Sequence, residues 1–149
     1  MNQITVETTT IADVPIIIVA PEDAEGCPIV FHVHGFTGNK KAGVALGYRL
    51  AMEGMVCVCV DAYMHGDRLD PRLTALLDGS ADYVYPRDTG LDIYFELHNI
   101  VKQTGDDVER LIDRFAGDPR VDTGRVGVTG YSMGGFTTYY TAAHNPRVQ

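Results

Sequence analysis

Basic side chains are few in this 149-residue sequence, which has 12 Lys and Arg against 20 Asp and Glu and a formal net charge of −8. Nucleic acids and anionic membranes attract clusters of Lys and Arg, whereas the basic residues here are scattered along the chain. The charge therefore argues against a nucleic acid or a membrane as a partner. We expect the acidic surface to serve mainly solubility.

Long apolar runs are also missing. No segment approaches the roughly 18 consecutive apolar residues that a membrane span needs. The first residues, Met1, Asn2 and Gln3, lack the basic and apolar regions of a signal peptide. We therefore expect a cytoplasmic protein. The length and the hydrophobic content of 45% are those of one globular domain, residues 1–149.

Cysteine is scarce as well, with three residues in the chain. Cys57 and Cys59 alternate within the apolar run 55–60, which is typical of a buried strand and places both thiols on one face. A metal-binding pair is conceivable, but no further ligand stands nearby in sequence. We interpret both as small buried hydrophobes and expect no metal and no organic cofactor.

Phosphate-binding loops are absent. The chain has no Gly-x-x-x-x-Gly-Lys-Ser/Thr loop. Thr129 stands where a Gly-x-Gly-x-x-Gly fingerprint beginning at Gly127 needs its second glycine. A nucleotide-binding domain is therefore disfavoured.

Strand and helix patterns alternate along the chain. The predicted strands are 4–9, 14–19, 28–34, 55–60 and 125–129. The predicted helices are 41–53, a long helix that includes the apolar positions 97–115, and 133–144. This order predicts an α/β fold with a mostly parallel sheet flanked by helices.

Two regions of this pattern carry more specific expectations. In the long helix, Asp106 and Asp107 fall on the outward face, and Gly105 costs about 1 kcal/mol relative to Ala. The segment 68–90 has a weak pattern and is interpreted as an insertion over the site. Tyr83, Tyr85 and Tyr94 either line a pocket there or pack, and packing is favoured.

The most informative motif is Gly130-Tyr131-Ser132-Met133-Gly134, which follows an apolar strand and opens a helix. Gly-x-Ser-x-Gly in this context is a nucleophile elbow, where small residues at both ends allow the chain to fold back at a serine. Ser132 is therefore the candidate nucleophile.

A serine that attacks a carbonyl needs hydrogen-bond donors for the resulting oxyanion. The amide of Met133, at the start of a helix, is one candidate. The second should come from the loop after the strand 28–34, and the amide of Phe36 is the candidate there. His34 and Gly35 then shape this loop.

Three motifs together resemble the α/β-hydrolase superfamily: His34-Gly35-Phe36, the segment 61–66, and the segment 130–135. The segment 118–122 further resembles the esterase, dienelactone-hydrolase-like and prolyl-oligopeptidase-like branch. The resemblance extends from Ile4 to the chain end and implies Ser132 as nucleophile, with Phe36 and Met133 forming the oxyanion hole. Dienelactone hydrolases proper carry Cys at the nucleophile position, so an esterase-like or peptidase-like member is the nearer reading.

The acid and base of a catalytic triad are not found after Ser132. Residues 133–149 contain no Asp or Glu, and their only histidine, His144, lies about 18 Å along the same helix at 1.5 Å per residue. His65 lies at the correct sheet edge but is expected to shape the pocket. The remaining candidates, His32, His98 and Asp61, are expected to be structural.

Two hypotheses remain open. The chain is the N-terminal part of a serine esterase that acts on a small-molecule ester and whose acid and base lie beyond Gln149. Alternatively, it is a catalytically silent module that binds or self-associates through an open sheet edge at the strand 125–129.

Overall fold

The computed structural model describes residues 3–78 and 91–149. The strands are β1 (Ile4–Ile11), β2 (Val14–Pro21), β3 (Cys27–Val33), β4 (Val56–Val60) and β5 (Val121–Gly130). The helices are α1 (Val44–Met52), α2 (Pro71–Asp78), α3 (Leu91–Phe115) and α4 (Met133–His144). Short 3₁₀ turns at Lys40–Gly43 and Gly66–Arg68 precede α1 and α2.

The five strands form one mixed sheet in the order β1-β2-β4-β3-β5. β3 pairs in parallel with both β4 and β5, whereas β2 is antiparallel to both β1 and β4. β2 alone therefore runs against the other four strands, and the predicted α/β class is confirmed. A two-residue turn at Ala12 and Asp13, with φ of 50° and 62°, joins β1 to β2. Two successive positive φ values are typical of a type I′ hairpin turn.

Alternation along the strands separates two apolar layers. On one face, Ile16, Ile18 and Phe31 pack with buried side chains of α3 and α4. On the other face, Cys57 and Cys59 belong to a smaller cluster that includes Ala51 of α1. The two buried thiols lie on one face with their sulfurs 4.0 Å apart.

The helix α3 packs through Ile100, Val108, Leu111 and Ile112, all fully buried. The prediction that Asp107 faces outward is wrong: the residue is 3% exposed and its carboxylate pairs with Arg68 and Arg110. These two partners explain how an acidic residue is buried on the inner side of an amphipathic helix.

Gly105 allows α3 and α4 to approach closely. A Cβ at this position would lie 2.3 Å from the Tyr140 ring. Glycine lowers the helix propensity at this position, but any larger residue would obstruct the contact between the two helices.

The helix α2 lies within the segment 68–90, where no helix was predicted. Pro71 is its first residue, and the Asp70 carboxylate accepts from the Arg72 amide at 2.8 Å. An acidic cap followed by proline is a helix-start signal that the short apolar segment obscured. Tyr83 and Tyr85 lie outside the described residues.

The strand β5 forms one edge of the described sheet. Near its middle, Val126 makes an isolated parallel bridge with Val148, and the Gln149 amide donates to the Val126 oxygen at 3.0 Å. The last residues thus lie beside β5 and run parallel to it at this bridge. Across residues 3–78 and 91–149, no helix combines the length and apolar character that a bilayer span requires.

Candidate active site

Three loops meet at one edge of the sheet. They follow the parallel strands β3, β4 and β5, and the carboxyl ends of parallel strands lie at the same edge. The first and third loops are in contact: the Tyr131 amide donates to the Val33 oxygen at 3.4 Å. A Cβ on Gly35 would lie 3.1 Å from the Tyr131 ring. The predicted loop residues are therefore brought together.

The chain reverses sharply at Ser132, between β5 and α4. Ser132 has φ 53° and ψ −112°, a conformation that non-glycine residues rarely adopt. A Cβ on Gly130 would lie 2.4 Å from the Gly134 carbonyl, and one on Gly134 would lie 2.0 Å from the Val33 oxygen. Ser132 is exposed, and its side chain makes no capping bond to α4. The turn thus holds a serine on strained backbone at the sheet edge.

The amides of Phe36 and Met133 are both available. Within residues 3–78 and 91–149, neither donates to an acceptor. Met133 is the first residue of α4, where the helix dipole favours negative charge. Phe36 lies in a turn that the Gly38 amide closes by donating to the Gly35 oxygen at 3.0 Å.

His34 joins the loop after β3 to the loop after β4. Its Nε2 accepts from the Ala62 amide at 3.1 Å, and its Nδ1 lies 2.7 Å from the Gly35 oxygen. Since a carbonyl oxygen only accepts, Nδ1 carries the proton and the ring is neutral. Burial lowers the pKa of His34 below the usual 6.5, and the hydrogen bond to Gly35 offsets this only in part.

His65 makes the same kind of link in the opposite direction. Its Nε2 accepts from the Thr37 amide at 3.1 Å, and its Nδ1 lies 2.8 Å from the Tyr63 oxygen. Burial lowers the pKa of His65, and the hydrogen bond to Tyr63 opposes this shift. Because both ring nitrogens are occupied, this histidine is not free to act as a base for Ser132.

A buried carboxylate organises the loop after β4. Asp61 is fully buried and accepts from the Lys40 ammonium and the Lys40 amide, each at 2.7 Å, and from the Asp67 amide at 2.9 Å. Burial alone would raise the pKa of Asp61, but these donors outweigh it and hold the pKa below its usual value. Gly66 has φ 61°, and a Cβ there would lie 2.1 Å from the Asp61 carboxylate. The expectation that Asp61 is structural agrees with these contacts.

Sequence reasoning missed Arg68, which ties this loop to α3. Its guanidinium donates to the backbone carbonyl oxygens of Asp61, at 2.8 Å, and Ala62, at 3.2 Å, and it pairs with the Asp107 carboxylate. The Tyr63 amide also donates to the Thr104 hydroxyl of α3 at 2.9 Å. The sequence signal for these contacts was the presence of two polar residues, Thr104 and Asp107, on the apolar face of α3.

The other three histidines, His32, His98 and His144, form no hydrogen bond with Ser132 among the residues that the structure describes. His98 and His144 are exposed, and each ring contacts the carbonyl four residues earlier on its helix. His32 is half-buried against Gly43, and burial lowers its pKa. In the described part of the chain, no His or carboxylate hydrogen-bonds to Ser132, and no three His, Cys, Asp or Glu side chains could together hold a metal ion.

One cavity adjoins these loops and another lies between α3 and α4. One, of about 360 Å³, lies between the loops after β3 and β4 and the helix α2, with Thr37, His65 and Leu73 in its wall. The other, of about 260 Å³, is apolar and is lined by Tyr94, Leu97, His98, Val101 and Phe136. Tyr94, 56% exposed, contacts His98 and Phe95 and thus both packs and lines a cavity.

The sequence matches the model of the Dienelactone hydrolase family over residues 14–149. Among curated proteins it is similar to "Putative esterase YitV" of Bacillus subtilis (strain 168), with 28% identity over 137 residues. The match covers 91% of this chain and 48% of that protein.

Solved structures show the same similarity. A "Putative Dienelactone Hydrolase" from Klebsiella pneumoniae superposes with a TM-score of 0.72 at 26% identity, over 99% of this chain and 58% of that one. Acetyl Xylan Esterase 1 from Thermoanaerobacterium sp. JW/SL YS485 has a TM-score of 0.66 at 19% identity, over 100% of this chain and 51% of that one, which shows a shared fold alone. The chain thus spans about half the length of these relatives.

Proposed function

The chain belongs to the dienelactone hydrolase family and has the α/β-hydrolase fold, and from this premise we propose that residues 1–149 are the N-terminal part of one serine hydrolase domain that cleaves a carboxylic ester. The observation that carries the proposal is Ser132, exposed at φ 53° between Gly130 and Gly134. This is the geometry that a nucleophile elbow requires.

In the proposed reaction, the Ser132 Oγ forms a bond to the ester carbonyl carbon while its proton passes to a base. The amides of Phe36 and Met133 donate to the oxyanion, and such a donor is worth roughly 3–4 kcal/mol. Collapse of the intermediate expels the alcohol, which takes the proton and leaves the acyl group on Ser132. Water then releases the carboxylic acid and restores the hydroxyl.

The base and its orienting acid are proposed to lie beyond Gln149. The described residues supply neither of them to Ser132, and the relatives are about twice as long as this chain. Loss of triad partners costs several orders of magnitude in rate. We therefore expect the 149 residues alone to react with an activated probe but to turn over esters slowly.

The relatives' names support an ester as substrate: the Bacillus subtilis protein is named as an esterase and the Thermoanaerobacterium protein as an acetyl xylan esterase. A small-molecule ester is the proposed substrate class, and this acyl transfer needs neither a metal nor an organic cofactor. The proposed compartment is the cytoplasm, where the free thiols of Cys57 and Cys59 stay reduced.

Labelling with an excess of a fluorophosphonate probe over long incubation tests the proposal, because the phosphonyl oxygen can use the amides of Phe36 and Met133 even though the base is proposed to lie beyond Gln149. We expect slow labelling that reaches stoichiometry and is abolished in Ser132→Ala. The chain has one other serine, so Ser80→Ala is the matched control and should label fully. A folded protein that does not label, or that labels equally with Ser132→Ala, would contradict the proposal.

The alternative function is a silent module that self-associates. The specific observation in its favour is that β5 is an edge strand in the described sheet, contacted on its outer side at Val126 by Val148 and Gln149, and the unpaired part of such an edge invites pairing with another chain. Sedimentation equilibrium of the unlabelled protein separates the two functions. Concentration-dependent association without probe labelling would favour the module.

A further inference from the structure

The two peptide groups that flank the Cα of Phe36 are each held by a different histidine. The first joins Gly35 to Phe36 and carries the Phe36 N–H. Its carbonyl oxygen, that of Gly35, accepts hydrogen bonds from His34 Nδ1–H at 2.7 Å and from the Gly38 amide at 3.0 Å. In a trans peptide the N–H points opposite to the carbonyl. The bond from His34 therefore directs the Phe36 N–H away from these partners.

The second peptide joins Phe36 to Thr37, and its N–H donates to His65 Nε2 at 3.1 Å. Thr37 has φ 66°, which is disfavoured for a β-branched residue. The conformation of this turn thus depends on a contact outside the turn. The Phe36 ring also packs edge-on against His65, with centroids 5.5 Å apart.

The two histidines are arranged reciprocally. His34 comes from the loop after β3 and accepts from Ala62 in the loop after β4, whereas His65 comes from the second loop and accepts from Thr37 in the first. Both acceptor bonds require an unprotonated Nε2. The ring centroids are 5.3 Å apart, so two protonated rings would repel each other.

We propose that His34 and His65 are positioning residues that hold the two peptides around Phe36 while both rings are neutral: a proton on His65 Nε2 breaks the Thr37 bond directly, and a proton on His34 Nε2 breaks the Ala62 bond that fixes the ring whose Nδ1 holds the Gly35 oxygen. The consequence for catalysis, loss of the Phe36 donor from the oxyanion hole, rests on the proposed function.

The surrounding charges agree with neutral rings at pH 7. His34 faces His65, Asp61 and His32, and His65 faces Asp61 and Arg68. Burial is the largest influence on both and lowers each pKa below 6.5, although Asp61 favours protonation. The negative charge of Asp61 is already paired with Lys40. The pair therefore remains neutral until the pH falls below 6.5.

Nitrogen NMR of the ¹⁵N-labelled chain tests this proposal directly. We expect both rings to be Nδ1–H tautomers at pH 7, with midpoints below 6.5 and with shifts of the Thr37 and Ala62 amides that follow the same titration. An Nε2–H tautomer in either ring overturns the proposal, and so do amide signals that ignore the ring titration.

Two substitutions at His65 separate positioning from simple packing. His65→Gln places an amide oxygen near the position of Nε2 and cannot titrate, whereas His65→Phe fills the space without an acceptor. We expect His65→Phe to lower the exchange protection of the Thr37 amide by about tenfold, the worth of one hydrogen bond. His65→Gln should retain the protection and lose its acid sensitivity, and His144→Gln on the exposed end of α4 is the matched control. Equal behaviour of the Gln and Phe variants contradicts the proposal.

These readouts do not depend on catalysis. If the tautomers and variants behave as expected while Ser132 fails to label, the proposed function fails and the histidine pair stands. If Ser132 labels but the tautomers are reversed, the histidine pair fails and the proposed function stands.

Discussion

The buried ion pair between Lys40 and Asp61 offers the sharpest test of how the loops are held. The Lys40 ammonium lies 2.7 Å from the Asp61 carboxylate, and the two side chains are 4% and 0% exposed. Lys40→Met keeps a similar volume but removes the charge. The carboxylate then keeps two backbone donors, from Lys40 and Asp67, and loses its only cationic partner among the described residues.

The expected loss of unfolding free energy in Lys40→Met follows from the burial of the ion pair. Removing one partner of a buried pair costs about 3–5 kcal/mol, because the other charge is left uncompensated. The two remaining amide donors place the expected loss near the lower end, about 3 kcal/mol. The second partner of Lys40, Asp67, adds little because its side chain is 69% exposed. For a chain of this size, the loss corresponds to a fall in Tm of roughly 6–12 °C.

Urea denaturation at pH 7 measures this loss. Lys41→Met is the matched control: Lys41 is the next residue, is exposed, and contributes its backbone amide rather than its ammonium to the turn. We expect the control to change the free energy of unfolding by less than about 0.5 kcal/mol. A loss below about 1 kcal/mol in Lys40→Met would refute the reasoning, because surface pairs already reach that value.

The pH dependence has a defined sign. The pKa of Asp61 is lowered in the folded protein, so the unfolded state binds more protons near the usual value of 3.8. The stabilisation from Asp61 is therefore present above 3.8 and is lost as the pH falls through the lower folded value. In Lys40→Met the folded pKa of Asp61 should rise towards or above the usual value, so Asp61 contributes less acid-induced loss of stability, and the difference in unfolding free energy between the variant and the wild type should narrow as the pH falls below 3.8.

Two glycine substitutions give further predictions, each with a matched glycine control measured by urea denaturation. Gly134→Ala places a Cβ 2.0 Å from the Val33 oxygen, and we expect a loss of about 1–3 kcal/mol with reduced Ser132 labelling. Gly135→Ala has its nearest atom at 3.7 Å and should be tolerated; equal effects at both positions would contradict the assigned turn geometry. Gly105→Ala meets the Tyr140 ring at 2.3 Å, and we expect a net loss of about 1 kcal/mol despite the better helix propensity of Ala. Gly117→Ala meets no atom within 4 Å, and the packing argument fails if Gly105→Ala proves the more stable of the two.

The α/β fold could be predicted from the sequence because local pattern and global position agree. The helix predicted at 133–144 is α4 with the same bounds, and the strands follow runs of apolar and β-branched residues. The strand bounds were less accurate: β5 begins at Val121 rather than 125, because residues 122–125 carry no apolar side chain although the strand already pairs with β3 before a register shift. The apolar pattern of the sequence shows which strand residues are buried, but the backbone pairing of a strand can continue past its last buried residue.

In the candidate site, too, some features could be predicted from the sequence and others could not. Ser132, Gly130 and Gly134 could be identified because a sharp reversal restricts residue types at fixed spacing. The partners of Asp61 could not, since Lys40 and Asp67 are 21 and 6 residues away and meet it only through the fold. Asp107 was assigned to the wrong face because periodicity treats a carboxylate as exposed and does not register its bond to Arg68.

Backbone strain links these observations. Each of the three loops after β3, β4 and β5 holds one non-glycine residue at positive φ: Thr37 at 66°, Met64 at 62° and Ser132 at 53°. Such residues cost about 1–3 kcal/mol each, so the three together reach a large part of a typical folding stability of 5–15 kcal/mol. They persist only where the surroundings over-determine them. The bonds of His65 and Asp61 at this edge therefore stabilise a strained arrangement, and we expect their loss to lower the reactivity of Ser132 as well as the stability of the fold.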